Sequence, residues 1–342
     1  MKTLSFDRSN GEIDEYIDLI MSQAGVHHPR LTREMILTAL KSGQENSYMA
    51  DQKLIRTTMK EMRYTNKIFS PYRHRKKVTV FGSARTAPDE PIYQTCVQFC
   101  RQLVERNYMV ITGGGPGIML AGNEGAGAEN SFAVNIHLPF EQETNPVMNE
   151  DDKVITYRYF FNRKVAFLKE AHAVALFPGG FGTLDESMEI MTLMQTGKNP
   201  PIPLVLIDDD GGYWDEWFKF LRDSLFKRGL ISGEDFGLFT ITRDYREAIQ
   251  VIDEFYRNYH SMRYVGRKLV IRLNNQLSQE QCDTLISEFS ELLAPDGTMI
   301  LNEALPEEHD QPDLLKLPRL IVDFNQRSFG LLSAFIRRIN VF

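Results

Sequence analysis

Along the first 75 residues the apolar positions return at helical spacing. Ile13, Tyr16, Ile17, Ile20 and Ala24 mark one helix; Met35, Ile36, Ala39 and Leu40 mark a second, with Thr32 as its candidate cap; Leu54, Ile55, Met59 and Met62 mark a third. From Val78 the period changes. Short apolar runs at 78–81, 109–112, 132–138, 154–160, 173–177 and 204–207 read as strands, and the segments 93–107, 119–128, 162–171 and the stretch after Thr183 read as helices between them. This alternation predicts a doubly wound parallel sheet of the Rossmann-like α/β class, with right-handed crossovers. Residues 213–261 carry Trp214, Trp217, Phe218, Phe220, Ile249, Ile252 and Phe255 and read as helices packed on the sheet or on a partner subunit.

Beyond residue 264 the pattern changes again. Strands at 268–273, 298–301 and 319–324 and helices at 278–293 and 328–338 give a βαββα order, interrupted by an acidic, proline-containing loop at 306–312. The organisation expected is a helical N-terminal region at 1–75, a Rossmann-like domain at 76–262 and a small α+β domain at 263–342. No internal repeat is visible, and nothing in the last region carries a catalytic pattern.

Composition narrows the classes of function. With 42% hydrophobic and 25% charged residues the 342-residue chain is of globular type. A net charge of -7 argues against a nucleic-acid binder, which needs clustered basic surface. No apolar run approaches the ~20 residues of a membrane span, and no signal-peptide segment follows the N-terminus. Three cysteines, Cys96, Cys100 and Cys282, suit a reduced, cytoplasmic compartment, and Cys96 and Cys100, four apart in a helix, read as apolar packing. His27 and His28 beside Pro29 read as a surface loop, and no metal-ligand cluster stands out, so neither metal nor cofactor is expected. The basic run 73–77 reads as a solvated linker into the first strand, with an anionic effector contact as the lesser alternative. His137, on a strand, and His172, before one, read as packing residues.

The candidate chemistry lies in Pro178-Gly179-Gly180-Phe181-Gly182-Thr183-Leu184-Asp185-Glu186, between an apolar strand and a helix. Strand, glycine turn and helix make an anion site, because the glycines admit a phosphate close to the main chain and the helix start offers unpaired N–H groups. Neither standard phosphate motif explains it. No G-x-x-x-x-G-K-[ST] occurs, and in Gly113-Gly114-Gly115-Pro116-Gly117 an isoleucine, Ile118, stands where a dinucleotide motif needs its third glycine. Gly82-Ser83, residues 113–117, Arg163 and residues 178–186 each follow a strand, and ligands of such sheets bind at the carboxyl edge, so these stretches converge on one crevice. Thr183-x-x-Glu186 also has the spacing of a helix capping box, in which the glutamate only ties off the helix start.

The nine residues 178–186 resemble the P-G-G-x-G-T-x-x-E signature of the LOG (Lonely Guy) family, nucleoside 5'-monophosphate phosphoribohydrolases often mislabelled lysine decarboxylases. Residues 80–85, 112–119 and 159–164 support the match, which spans about 78–207; Leu120 departs from the acidic residue that many longer members carry there. The resemblance implies hydrolysis of the N-glycosidic bond of an AMP-like or cytokinin riboside monophosphate to free base and ribose 5-phosphate. It implies Arg163 and Glu186 as the catalytic pair. Gly82, Ser83, Gly113, Gly114, Gly115, Gly117, Met119, Gly179, Gly180, Gly182 and Thr183 are expected to bind substrate and its phosphate. A carboxylate beside C1' suits the oxocarbenium character of that transition state, and Arg163 would hold Glu186 ionised or bind a substrate oxygen. A homodimer or higher homo-oligomer with the crevice near the subunit boundary is also implied. The terminal regions, absent from minimal members, are expected to assemble the oligomer or regulate access. The alternative from another class is a nucleotide-binding sensor without chemistry. A pyridoxal-dependent decarboxylase is disfavoured, since Lys164 and Lys169 read as solvated helix residues.

Overall fold

The computed structural model describes residues 3–138 and 143–342, and the chain divides into two compact units, 1–64 and 65–342. The first unit contains α1 (Glu12–Ala24), α2 (Pro29–Glu45) and the greater part of α3 (Met49–Phe69). Its buried apolar side chains are few: Leu4, Ile17, Met21 and Leu37. The α2 helix begins at Pro29 with His28 as its cap residue, so Thr32 lies inside the helix and is not its cap. Proline, with φ preset and no N–H to lose, starts the helix earlier than the threonine would.

The second unit is built on seven parallel strands: β1 (Lys77–Phe81), β2 (Met109–Thr112), β3 (Ser131–Ile136), β4 (Val154–Tyr157), β5 (Ala173–Leu176), β6 (Leu204–Ile207) and β7 (Thr240–Thr242). Their order is β4-β3-β2-β1-β5-β6-β7. Consecutive side chains on a strand point to opposite faces, and both faces are apolar. Val78, Val80, Val110, Ala175 and Val205 face one helical layer, made by α4 (Pro91–Glu105), α5 (Ile118–Ala126) and α9 (Tyr245–Phe255). Phe81, Ile111, Val134, Leu176 and Leu206 face the other, made by α6 (Phe160–Lys169), α7 (Phe181–Gln195) and α8 (Tyr213–Phe220). The Rossmann-like reading is therefore correct. β7 was not foreseen: its three residues are too short to show a period.

The winding determines where a ligand can enter. From β1 the chain steps outward through β2 and β3 to β4, then returns to the other side of β1 to form β5, β6 and β7. Loops leaving β1 and β5 turn in opposite directions and open a crevice at their carboxyl ends. The Ser83 N–H donates to the Pro178 carbonyl at 3.0 Å and joins the two loops at its base.

The remainder forms an antiparallel sheet of β8 (Tyr259–Val265), β9 (Lys268–Leu273), β10 (Met299–Asn302) and β11 (Arg319–Val322), in the order β10-β11-β9-β8, with α10 (Gln279–Glu288) and α11 (Phe329–Ile339). The order is thus ββαββα and not βαββα. β8 escaped notice because its largely half-exposed residues, among them His260, Ser261 and Arg263, show no apolar alternation. Leu269, Ile271, Leu320 and Val322 face the two helices. On the opposite face Arg272 and Arg319 sit in register on neighbouring strands, and buried Glu308 from the acidic loop bonds both, 2.7 Å from Arg272 Nη2 and 3.2 Å from Arg319 Nε. This region docks on the far end of α7, where Phe329 packs against Gly197.

Of the basic run, Arg73 and His74 are exposed as a solvated linker would be, whereas residues 75–77 are tied to the fold. Lys77 is buried and donates to the carbonyls of Tyr72 and Arg75, Arg75 donates to Asn130 Oδ1 and the Tyr108 carbonyl, and Lys76 lies 4.2 Å from the Tyr256 ring centroid. Among the histidines, His172 is half-buried and desolvation pushes it down to about 4, whereas His137 lies past the end of β3 and is exposed. The three cysteines are free and buried. No helix among the described residues is long and apolar enough to cross a membrane.

Candidate functional site

A cavity of about 710 Å³ opens at the carboxyl ends of β1, β2, β3 and β5. Its wall includes Gly82, Ser83, Gly113, Gly114, Gly115, Met119, Arg163, Gly180, Gly182, Thr183 and Glu186. Of the residues anticipated from sequence only Gly117 and Gly179 stand behind this wall, where an added Cβ would strike the Ser83 carbonyl and the Thr183 hydroxyl respectively. The winding of the sheet thus brings five separate stretches of chain to one opening.

The phosphate-type element is the start of α7. Gly180 is its cap residue and supplies no side-chain cap, so the first-turn amides at Phe181, Gly182 and Thr183 are without a side-chain acceptor on the cavity side. A Cβ on Gly180 or Gly182 would meet nothing within 4 Å, so these glycines leave open the room an anion needs. Thr183 is the third residue of the helix, not its cap. The capping-box reading of Thr183 and Glu186 therefore fails: Glu186 sits a turn too far along to bond the helix start.

Glu186 is instead directed into the cavity wall. It is 7% exposed, and its Oε2 has no hydrogen-bond partner. Burial pushes its carboxyl up to about 7, against the opposing field of Lys164, with Glu189 adding to the rise and Arg163 opposing it. A carboxyl at that value exchanges protons near neutral pH.

Arg163, in the first turns of α6, is anchored through Nε to the Val134 carbonyl at 2.8 Å, and its guanidinium carbon lies 5.0 Å from the Phe167 ring centroid. Burial lowers its pKa and the charge of Glu186 opposes that. The glycine at 113 makes room for it: a Cβ there would lie 2.5 Å from Met119 Sδ and 2.6 Å from Arg163 Nη2. Gly114 meets a second demand, since its φ of +71° belongs to the left-handed region.

The ionic partner of Glu186 is Lys164 rather than Arg163. Lys164 Nζ lies 2.6 Å from Glu189, 2.8 Å from Asp185 and 3.6 Å from Glu186. Read from sequence as a solvated lysine, it is held among three carboxylates because α6 and α7 pack on the same face of the sheet. Its place beside Arg163 was the only signal available.

Sequence reasoning also missed the residues that hold the 113–117 loop. Thr112 Oγ1 accepts from the Gly114 N–H at 3.0 Å and donates to Asn123 Oδ1 at 2.7 Å. Asn145 Nδ2 donates to the same Asn123 oxygen at 2.9 Å and to the Gly115 carbonyl at 3.2 Å. Tyr213 steadies the other loop by donating to the Gly179 carbonyl at 2.6 Å. These residues lie far apart in the sequence, from Thr112 to Tyr213, and no local pattern connects them.

Comparison with known proteins leads to the same family resemblance. Residues 116–252 match the family model described as possible lysine decarboxylase. The chain is 25% identical over 183 residues to the cytokinin riboside 5'-monophosphate phosphoribohydrolase LOG2 of Arabidopsis thaliana, an alignment covering 53% of this chain and 84% of that one. It is 27% identical over 190 residues to LOG of Oryza sativa subsp. japonica, named for the same activity, covering 54% and 75%. Among solved structures, one titled for TM1055 is 21% identical and covers 52% of this chain and 99% of that one, with a TM-score of 0.39. The resemblance to the LOG family thus holds at low identity over about half of the chain.

Proposed function

We propose that this chain, similar through its central half to the LOG phosphoribohydrolases, hydrolyses the N-glycosidic bond of a nucleoside 5'-monophosphate to free base and ribose 5-phosphate. The observation that carries the reading is the buried Glu186 carboxyl, one oxygen unpartnered, in the wall of the cavity that the uncapped start of α7 also lines. The 5'-phosphate sits on the α7 amides, and the ribose extends toward Glu186. As the C1'–N bond breaks, the ionised carboxylate stabilises positive charge on the sugar and takes a proton from the attacking water. Water thereby supplies hydroxyl to C1' and a proton for the departing base. Arg163, held by the Val134 carbonyl, donates to a substrate oxygen. Lys164 keeps enough negative charge on Glu186 for it to act as a base near neutral pH.

The test is incubation with a panel of nucleoside monophosphates, AMP and cytokinin riboside monophosphates included, with the matching nucleosides as controls and chromatography for liberated base. Base is expected from the monophosphates and not from the nucleosides, and none from Glu186→Gln. A protein that binds AMP and releases nothing is a sensor, and the proposal falls. Equal release from nucleosides removes the phosphate site from the argument.

A further inference from the structure

The apolar surface of this protein is unevenly distributed. Among the described residues 25 large apolar side chains are exposed, and 14 of them, from Phe6 to Tyr64, lie in the first 64 residues. There they range from 36% exposed at Tyr64 to 75% at Tyr48, against only four buried apolar side chains in the same segment. Monomeric surfaces rarely gather so much apolar area without a partner.

Nine of the 14 fall on two helices whose charges are opposite, α1 and α3; Leu31, Met35 and Leu40 lie on α2, and Phe6 and Tyr48 outside the helices. On α1, Ile13, Tyr16 and Ile20 form a stripe at helical spacing, with Leu19 beside it, and all four are exposed. The helix carries Glu12, Asp14, Glu15 and Asp18 and no lysine or arginine. Arg33 of α2 engages Asp14 and Asp18, at 2.5 and 3.6 Å, which leaves Glu12 and Glu15 beside the apolar stripe. On α3, Tyr48 just before the helix, then Ile55, Met59 and Met62, follow the three-and-four spacing of a packing seam, and the first three are exposed. One position along, Lys53, Arg56, Lys60 and Arg63 repeat the same spacing as a parallel basic stripe, every one exposed. No residue of α3 before Thr65 is buried.

We infer that residues 1–64 are a self-association module in which the acidic apolar face of α1 on one copy seats against the basic apolar face of α3 on a second copy. The second contact of the pair is the same one with the roles exchanged, so two-fold symmetry closes the assembly. Charge complementarity selects this occupant. A second copy supplies an acid-flanked apolar helix of matching kind, and the chain's net charge of -7 opposes docking of this surface on a polyanion. Glu12 and Glu15 of one copy then meet Lys53, Arg56 and Lys60 of the other at the rim, around a centre of Tyr16, Ile20, Ile55 and Met59.

Sedimentation equilibrium of the full chain tests this. The wild type is expected to associate with a dissociation constant at or below about 1 μM, weakening as salt rises. Lys53→Glu/Arg56→Glu/Lys60→Glu, all surface changes, is expected to weaken self-association at least about 30-fold. Glu12→Lys/Glu15→Lys should weaken it too, and mixing the two variants should restore association between them. A wild type that is monomeric at tens of times that concentration overturns the inference. So does association that survives both charge reversals, failure of the mixed variants to pair, or a monomer that binds anionic phospholipid vesicles through Lys53, Arg56 and Lys60.

Discussion

Glu186→Gln should abolish turnover and at the same time make the protein more stable above pH 7. Burial raises this carboxyl from 4.5 to about 7. A tenfold change in proton affinity corresponds to ~1.4 kcal/mol, so keeping the group ionised at pH 8 costs the fold about 3 kcal/mol relative to a neutral isostere. The sign follows from the raised value. The folded protein holds the proton more tightly than the unfolded chain, so stability is fully present below pH 4.5, is lost as pH rises toward 7, and is flat above. Glutamine never pays this cost. At pH 8 the variant should therefore melt higher by roughly 6–12 °C, given about 2–4 °C per kcal/mol for a chain of this order, and at pH 4.5 the two proteins should melt together. Differential scanning calorimetry across pH 4.5–8, on the preparations used for base release, makes the measurement. A variant that is equally stable or less stable at pH 8, or whose advantage is independent of pH, would refute the claim that this carboxylate is held against burial.

Other variants probe its neighbours. Lys164→Met removes the cation that lowers the Glu186 pKa, so the ascending limb of the kcat/KM profile, expected near 7, should move to higher pH, and Lys164→Arg should bring it back. Gly113→Ala puts a methyl group 2.6 Å from Arg163 Nη2; base release should fall by on the order of 10²-fold, as for loss of one preorganised donor, while thermal unfolding stays close to wild type. Glu308→Gln leaves the buried Arg272 and Arg319 without their carboxylate and should cost about 3–5 kcal/mol in urea unfolding. Although burial alone would raise the Glu308 pKa, hydrogen bonds from Arg319 and Arg272 hold it below the ordinary value, so wild-type stability should also drop as pH falls through that lowered value.

The parallel sheet, the glycine loops and the edge at which they gather were legible in the sequence because each is a local property. Buried parallel strands are short and apolar, glycines mark close main-chain approach, and a βα alternation sends its loops to the carboxyl edge. The strands missed, β7 and β8, are respectively too short and too polar to carry a period. What the tertiary structure alone decided is electrostatic. Adjacent in sequence, Arg163 and Lys164 divide their roles: one reaches the Val134 carbonyl behind the cavity wall and the other reaches three carboxylates on α7. The same spacing at Thr183 and Glu186 fits a helix cap or a site carboxylate, and the choice depended on α7 starting at Phe181 instead of after Thr183. A carboxyl is raised or lowered by the dielectric and the charges around it, and those come from elements far apart along the chain. Residue order determined which groups were available, and the packing of α6 against α7 determined the charge that Glu186 carries.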